Sequence, residues 1–217
     1  MAIMYNSGCM KHKVLLVLSL LLFISSSAFA DDITFSSGYT RVAMKGDNKT
    51  VELTENVKVS TGDIDITANK IVIAGENYSF LTCLGNVKVI DHKRDITIQA
   101  SSLAYNRTTE FITIDGWVEM QDAKNEVSVS SAWLEFDLNG GILRLQLQTK
   151  ILKSTSKGPM ICKADNVTYD RNRESLTLLG NAKVDWNGDE YTSQKLSVDL
   201  KTEEIVMTGD IKGTVNG

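Results

Sequence analysis

Few side chains in this 217-residue sequence combine into a reactive constellation. Of its two histidines, His12 precedes an apolar run and His92 lies in the charged turn Asp91-His92-Lys93-Arg94. One histidine cannot build a histidine metal cluster or pass a proton to a second imidazole. Asp63 with Asp65, and Glu203 with Glu204, could divide acid and base work, but both pairs sit in polar turn sequence, where carboxylates are normally solvated. The sequence contains no G-x-S-x-G elbow, phosphate loop or dinucleotide fingerprint. The expectation is a protein that is not an enzyme, with no metal and no cofactor. Lys58, Lys88, Lys150, Lys183 and Lys212 recur at matching places, with Glu119 in the remaining one. That column reads either as a basic stripe for phosphate or as the solvent face of strands. Trp117, Trp133 and Trp186 fall on outward phases, where they could meet a partner or cover turns.

These residues are carried by a repeat. Glu55-Asn56-Val57-Lys58-Val59 returns thirty residues later as Gly85-Asn86-Val87-Lys88-Val89. Ile64-Asp65-Ile66-Thr67-Ala68 returns as Ile96-Thr97-Ile98-Gln99-Ala100. Further copies follow around Val127, Met160 and Tyr191. Aligned, they give apolar columns: Val51, Leu81, Ile112, Leu143, Leu176, Ile205, and beside it Leu53, Cys83, Ile114, Leu145, Leu178, Met207. A period near thirty predicts about six stacked units, each burying its apolar face against its neighbours.

Within each unit the alternation is that of strands. It slips by one residue beside Ala68, Ala100, Ser131, Ala164 and Ser193. A one-residue slip reverses the face unless a bulge or bend absorbs it, so a corner is expected there. The other strand of each unit keeps its phase but carries Gly85, Gly116, Gly180 and Gly209 at its middle, with Glu55 and Leu147 as exceptions. Polar turns join the strands, which makes them antiparallel. The predicted fold is all-β: a repetitive antiparallel β-jellyroll, a meander folded over into two facing sheets. About twelve strands would span roughly 55 Å. Cys83 and Cys162 fall in apolar columns about five strands apart, too far for the roughly 7 Å reach of a disulfide.

Residues 1–30 are expected to lie outside the fold. Lys11-His12-Lys13, the apolar run Val14 to Ile24, and a small-residue segment ending Ala28-Phe29-Ala30 form a secretory signal peptide, cut after Ala30. The leader holds two of the 23 basic residues and no acid, so 27 acidic residues then outnumber 21 basic ones. That balance excludes a nucleic-acid footprint. The domain is placed at 31–217. Neither end of the repeat carries a cap, and open sheet edges invite another strand.

The phrase running from Asn56 to Ile71, NVKVSTGDIDITANKI, and its returns resemble the LptA/OstA-like family of periplasmic lipopolysaccharide-transport proteins. The likeness spans about Ile33 to Thr214, although Trp117 and Gln148 depart from the asparagine slot. LptC and the N-terminal domain of LptD share this grammar. The resemblance implies an OstA-like jellyroll, open along one side, whose inner groove shields the acyl chains of lipid A. It implies edge-to-edge assembly into a bridge from inner to outer membrane, and the leader favours the LptA-like role. Inner-membrane LptC-like and outer-membrane LptD-like partners, and head-to-tail copies of the chain, would join by β-strand addition.

On this sequence the groove would be lined by the inward residues Val57, Val59, Ile64, Ile66, Ile71, Ile73, Leu81, Val87, Val89, Ile96, Ile98, Leu103 and Tyr105. The N-terminal edge contact would be Ile33, Phe35 and Val42, read as inward. The C-terminal one would be Ile205, Met207 and Ile211. The same columns suit a structural or adhesive β-repeat protein with a solid core and no ligand. Sequence alone leaves trough and filled core open.

Overall fold

Strict alternation of apolar and polar side chains makes each segment a strand with one face to cover, and the chain covers it by folding every strand across the middle. The computed structural model describes residues 32–45 and 48–216; the predicted leader lies outside them. The chain from Asp32 onward forms one unit. Its strands are β1 (Ile33–Ser36), β2 (Tyr39–Lys45), β3 (Asn48–Thr61), β4 (Ile64–Ala74), β5 (Phe80–Asp91), β6 (Ile96–Asn106) and β7 (Phe111–Asp122). They continue as β8 (Val127–Asp137), β9 (Ile142–Thr155), β10 (Gly158–Asp170), β11 (Ser175–Trp186), β12 (Asp189–Asp199), β13 (Glu204–Thr208) and β14 (Lys212–Thr214). A single 3-10 turn, Glu76–Tyr78, interrupts the series. Among the described residues there is no α-helix.

Consecutive strands from β3 to β13 pair antiparallel. At one end β1 pairs the second half of β3 and β2 its first half. At the other, β13 and β14 pair the two halves of β12. Each terminal pair is therefore one rung broken at the corner, and fourteen strands make the twelve rungs expected. This is the predicted folded-over antiparallel β-jellyroll.

The corner lies where the phase slip predicts. Between matched pairs, Thr67↔Lys88 and Lys70↔Leu84, β4 advances three residues while β5 advances four. The same one-residue excess falls on β3, β7, β9 and β11. An odd step turns the even-numbered strand over, an even step keeps the odd-numbered strand in phase, and the mismatch bends both. The extra residue is accommodated in left-handed backbone: Gly85 (φ 73) with Asn86 (φ 50), and Gly180 (φ 75) with Asn181 (φ 46). Asparagine follows glycine because it tolerates that conformation best among residues with a side chain. A Cβ on Gly85 would also sit 2.6 Å from Asn69 Nδ2, and one on Gly180 2.7 Å from Asp165 Oδ2.

Inside, one apolar cluster runs the length of the unit, from Val51 to Leu200. Cys83 and Cys162 belong to it and are free thiols, as their separation requires. Burial pushes both up to about 12, so they are inert at neutral pH.

Candidate functional site

All thirteen residues expected to line an interior groove face inward and are buried, none more than 6% exposed. They come from β3 to β6, and equivalent positions such as Met120, Val129, Ile151, Cys162 and Val184 continue the lining through β11. With the two sheets closed on each other, this lining is a filled core. The burial of Tyr105 pushes its phenol up to about 12, so its hydroxyl stays protonated.

The edge residues divide. Phe35 pairs with Val59 and Val42 with Val51, so both keep the inward phase of the core. Yet they are 45% and 48% exposed, because no strand lies beyond them among the described residues. They keep the inward phase and, standing at the end of the stack, remain exposed. Ile33, Ile205 and Met207 are half-buried against the core. Ile211 lies between β13 and β14 and is 56% exposed. Both ends of the stack thus present apolar side chains beside unpaired backbone.

The lysine column lies on the outer face. Register extends it into one row, Lys58, Thr67, Lys88, Gln99, Glu119, Ser130, Lys150, Lys163, Lys183, Thr192 and Lys212. Lys58 meets Asp65 at 3.4 Å, and Lys183 meets Glu190 at 2.8 Å and Asp185 at 3.0 Å. Of the tryptophans, Trp117 is half exposed. Trp186 instead packs on the core, donates to Thr155 Oγ1 at 3.1 Å, and carries Lys157 over its ring. His92 is solvent-exposed beside Asp65, at 3.4 Å.

The repeat did not announce what closes the second long side. Opposite the corner, the turns of the two sheets form two facing rows, and among the described residues no strand crosses between them. Side chains do. Arg107 Nε donates to Thr61 Oγ1 at 3.0 Å. Arg94, from the β5–β6 turn, donates to Leu138 O at 3.0 Å and Glu110 Oε2 at 2.7 Å, while also gripping Asp91 at 2.8 Å.

Next along the seam, Arg171 clasps Asp122 twice, Nε to Oδ2 at 2.6 Å and Nη2 to Oδ1 at 2.9 Å. Tyr169 Oη also donates to that carboxylate at 3.1 Å, and Asn125 Nδ2 at 2.9 Å. Asn125 Nδ2 reaches across to Arg171 O as well, at 3.3 Å. Last comes Lys157 with Glu203, at 3.7 Å. Apart from Arg94 with Glu110, the stitches recur at an offset of 44 to 49 residues, a period and a half of the repeat.

The middle stitch is the firmest. Asp122 is 1% exposed and Arg171 8%. Burial alone pushes the Asp122 carboxyl up, but the bidentate guanidinium, then Tyr169 and Asn125, more than reverse that and hold it below the usual carboxylate range. Among the described residues, no buried side-chain nitrogen or oxygen lacks a hydrogen-bond partner. The arrangement offers a continuous apolar interior behind a side-chain seam, with a bare sheet edge at each end.

A family model described as LptA/(LptD N-terminal domain) LPS transport protein matches residues 40–141 and 144–204. No curated protein matches the chain. Among solved structures, LptH from Pseudomonas aeruginosa, the LptA homologous periplasmic component of the conserved lipopolysaccharide transport device, is 10% identical over 86% of this chain and 96% of that one. Its TM-score is 0.25, which adds nothing to the fold assignment.

Proposed function

Since the chain belongs to the family of LptA and LptD N-terminal-domain lipopolysaccharide-transport proteins, we propose that it carries lipopolysaccharide across the periplasm by shielding the lipid A acyl chains between its two sheets. The observation that carries this reading is the uninterrupted inward lining, Val57 to Tyr105 in its first third, bounded at both ends by unpaired edges. Each methylene transferred from water into such a lining gains about 0.8 kcal/mol. The β1/β2 edge, with Ile33, Phe35 and Val42, would accept an LptC-like inner-membrane partner or another copy. The β13/β14 edge, with Ile205, Met207 and Ile211, would accept the next copy or an LptD-like outer-membrane partner, by strand addition. The chain would act as an exported bridge and not as an enzyme.

A photoreactive residue placed at buried Ile66, and separately at exposed Thr67 on the same strand, tests it. Adducts with lipopolysaccharide in cells are expected from position 66 only. A folded protein giving adducts from neither position would leave the second reading, which the filled core favours: a β-repeat protein whose interior takes no ligand.

A further inference from the structure

Two corners carry glycine then asparagine, Gly85-Asn86 in β5 and Gly180-Asn181 in β11; in β7 a tryptophan follows the glycine, as Gly116-Trp117. The ladder changes at the same place. Matched pairs between β6 and β7 stop at Ala100↔Val118 and resume at Ala104↔Thr113, an advance of four residues against five. At the other corners between full strands, no strand advances more than four. The strands thus part most widely beside Trp117. A Cβ on Gly116 would sit 3.0 Å from Ser101 Oγ, so the glycine keeps this gap clear. Outside the corner, a groove of about 830 Å³ runs across β4 to β7 and ends at Trp117.

The lining of this groove suits a sugar. Buried Val87 and Ala100 form its floor, and Thr67, Asn69, Asn86, Gln99 and Ser101 line it as exposed side chains. Amides and hydroxyls both donate and accept hydrogen bonds, as a sugar requires. Asn86 Nδ2 donates to Asn69 Oδ1 at 3.3 Å, which orients both amides and leaves Asn69 Nδ2 and Asn86 Oδ1 for a ligand. Trp117 is half exposed and supplies the aromatic plane. The C–H face of a pyranose ring packs against the negative face of an indole while its hydroxyls turn outward to the amides. A protein partner would call for apolar side chains around the tryptophan, and the groove's other exposed residues are polar. Charge adds direction. Lys88 lines the groove and, among the described residues, makes no ion pair, whereas Lys58 and Lys183 in the same row do. At the β7 end Glu119 stands opposite Gln99.

We propose that this groove binds an acidic oligosaccharide, with one ring stacked on Trp117 and the carboxylate of a neighbouring unit at Lys88. Two strand spacings, about 10 Å, separate β5 from β7, so the two contacts fall on different sugar units. The site lies outside the interior and does not depend on lipid being carried there. Calorimetry with tetragalacturonate and its methyl ester, which differ only in charge, tests it. The acid should bind about fivefold more tightly than the ester, as an exposed ion pair allows. Trp117→Ala should weaken both by about tenfold, the worth of a good aromatic contact. Lys88→Gln should weaken only the acid, bringing it level with the ester. Both residues are exposed, so the melting temperature should hold, and lipopolysaccharide adducts from position 66 should be unchanged by Trp117→Ala. Displacement of tetragalacturonate by peptide-free cell-wall glycan strands, or by the deacylated saccharide of lipopolysaccharide, would support the site and identify its source. No binding of either probe, or binding that Trp117→Ala leaves intact, would overturn it. Loss of self-association in Trp117→Ala, with no saccharide bound by the parent protein, would give the groove to a second protein instead.

Discussion

The corner and the seam close the same interior from opposite long sides, and they do so with different chemistry. Corner links are local, and two of them are exposed: Asn86 Nδ2 donates to Asn69 Oδ1 at 3.3 Å, and Asn181 Nδ2 to Asp165 Oδ2 at 2.8 Å, over 17 and 16 residues of sequence. Most seam links join residues 44 to 49 apart, Arg94 with Glu110 being the short exception, and they include a fully enclosed carboxylate. The corner holds because the chain itself passes through it, so its side chains only adjust the bend. The seam has no chain through it, so its side chains bear the whole closure.

The comparison breaks most severely at Asp122. Asp122→Ala strands the Arg171 guanidinium in a buried site with no counter-charge, a loss of about 3–5 kcal/mol for such a broken pair. Urea unfolding should show the midpoint falling sharply. A shift below about 1 kcal/mol would mean the seam carries no more than the corner does.

Next comes Gly180→Ala. Its left-handed backbone and the close approach of Asp165 predict a cost of about 1–2 kcal/mol. The loss should be similar for Gly85→Ala, whose backbone (φ 73) and close approach to Asn69 match those of Gly180.

Acid sharpens the contrast. Asp122 has its carboxyl lowered by folding, so its contribution is present above the unfolded value of about 3.9 and disappears as pH falls through the lower folded value. Stability measured from pH 5 downward should therefore drop, and Asp122→Asn should flatten that dependence. The neutral Asn86–Asn69 link at the corner should contribute none of it.

The smallest effect is expected at Lys157→Ala. The exposed pair with Glu203 and the cation over Trp186, 4.9 Å from the ring centre, together contribute about 1 kcal/mol or less. Thermal unfolding should barely move while Trp186 fluorescence changes.

Much of this was legible in residue order. The slip beside Ala68 and its repeats located the corner, because a period-two pattern cannot change face without a structural cause. Inward burial of Ile66, Ile98 and Val129 followed from the same alternation. Phe35 and Val42 were assigned the correct face, but their exposure depended on whether a neighbouring strand existed, which phase cannot reveal. Lys163 joined the outer lysine row only once register was known, since it lies on the opposite strand of its unit. The seam was hidden for a sharper reason. Arg94, Arg107 and Arg171 stood in polar turns, where arginine is usually solvated, and Leu138, Thr61 and Asp122, which they reach, lie one and a half repeats away.

The sequence by itself determined the local geometry of this protein: strand, turn and corner each depend on residues within a few positions of one another, and the repeat states them several times over. Which turn faces which across the closed side was decided only by the tertiary structure. That pairing depends on how far each rung advances along the stack, an accumulated offset that no single unit encodes.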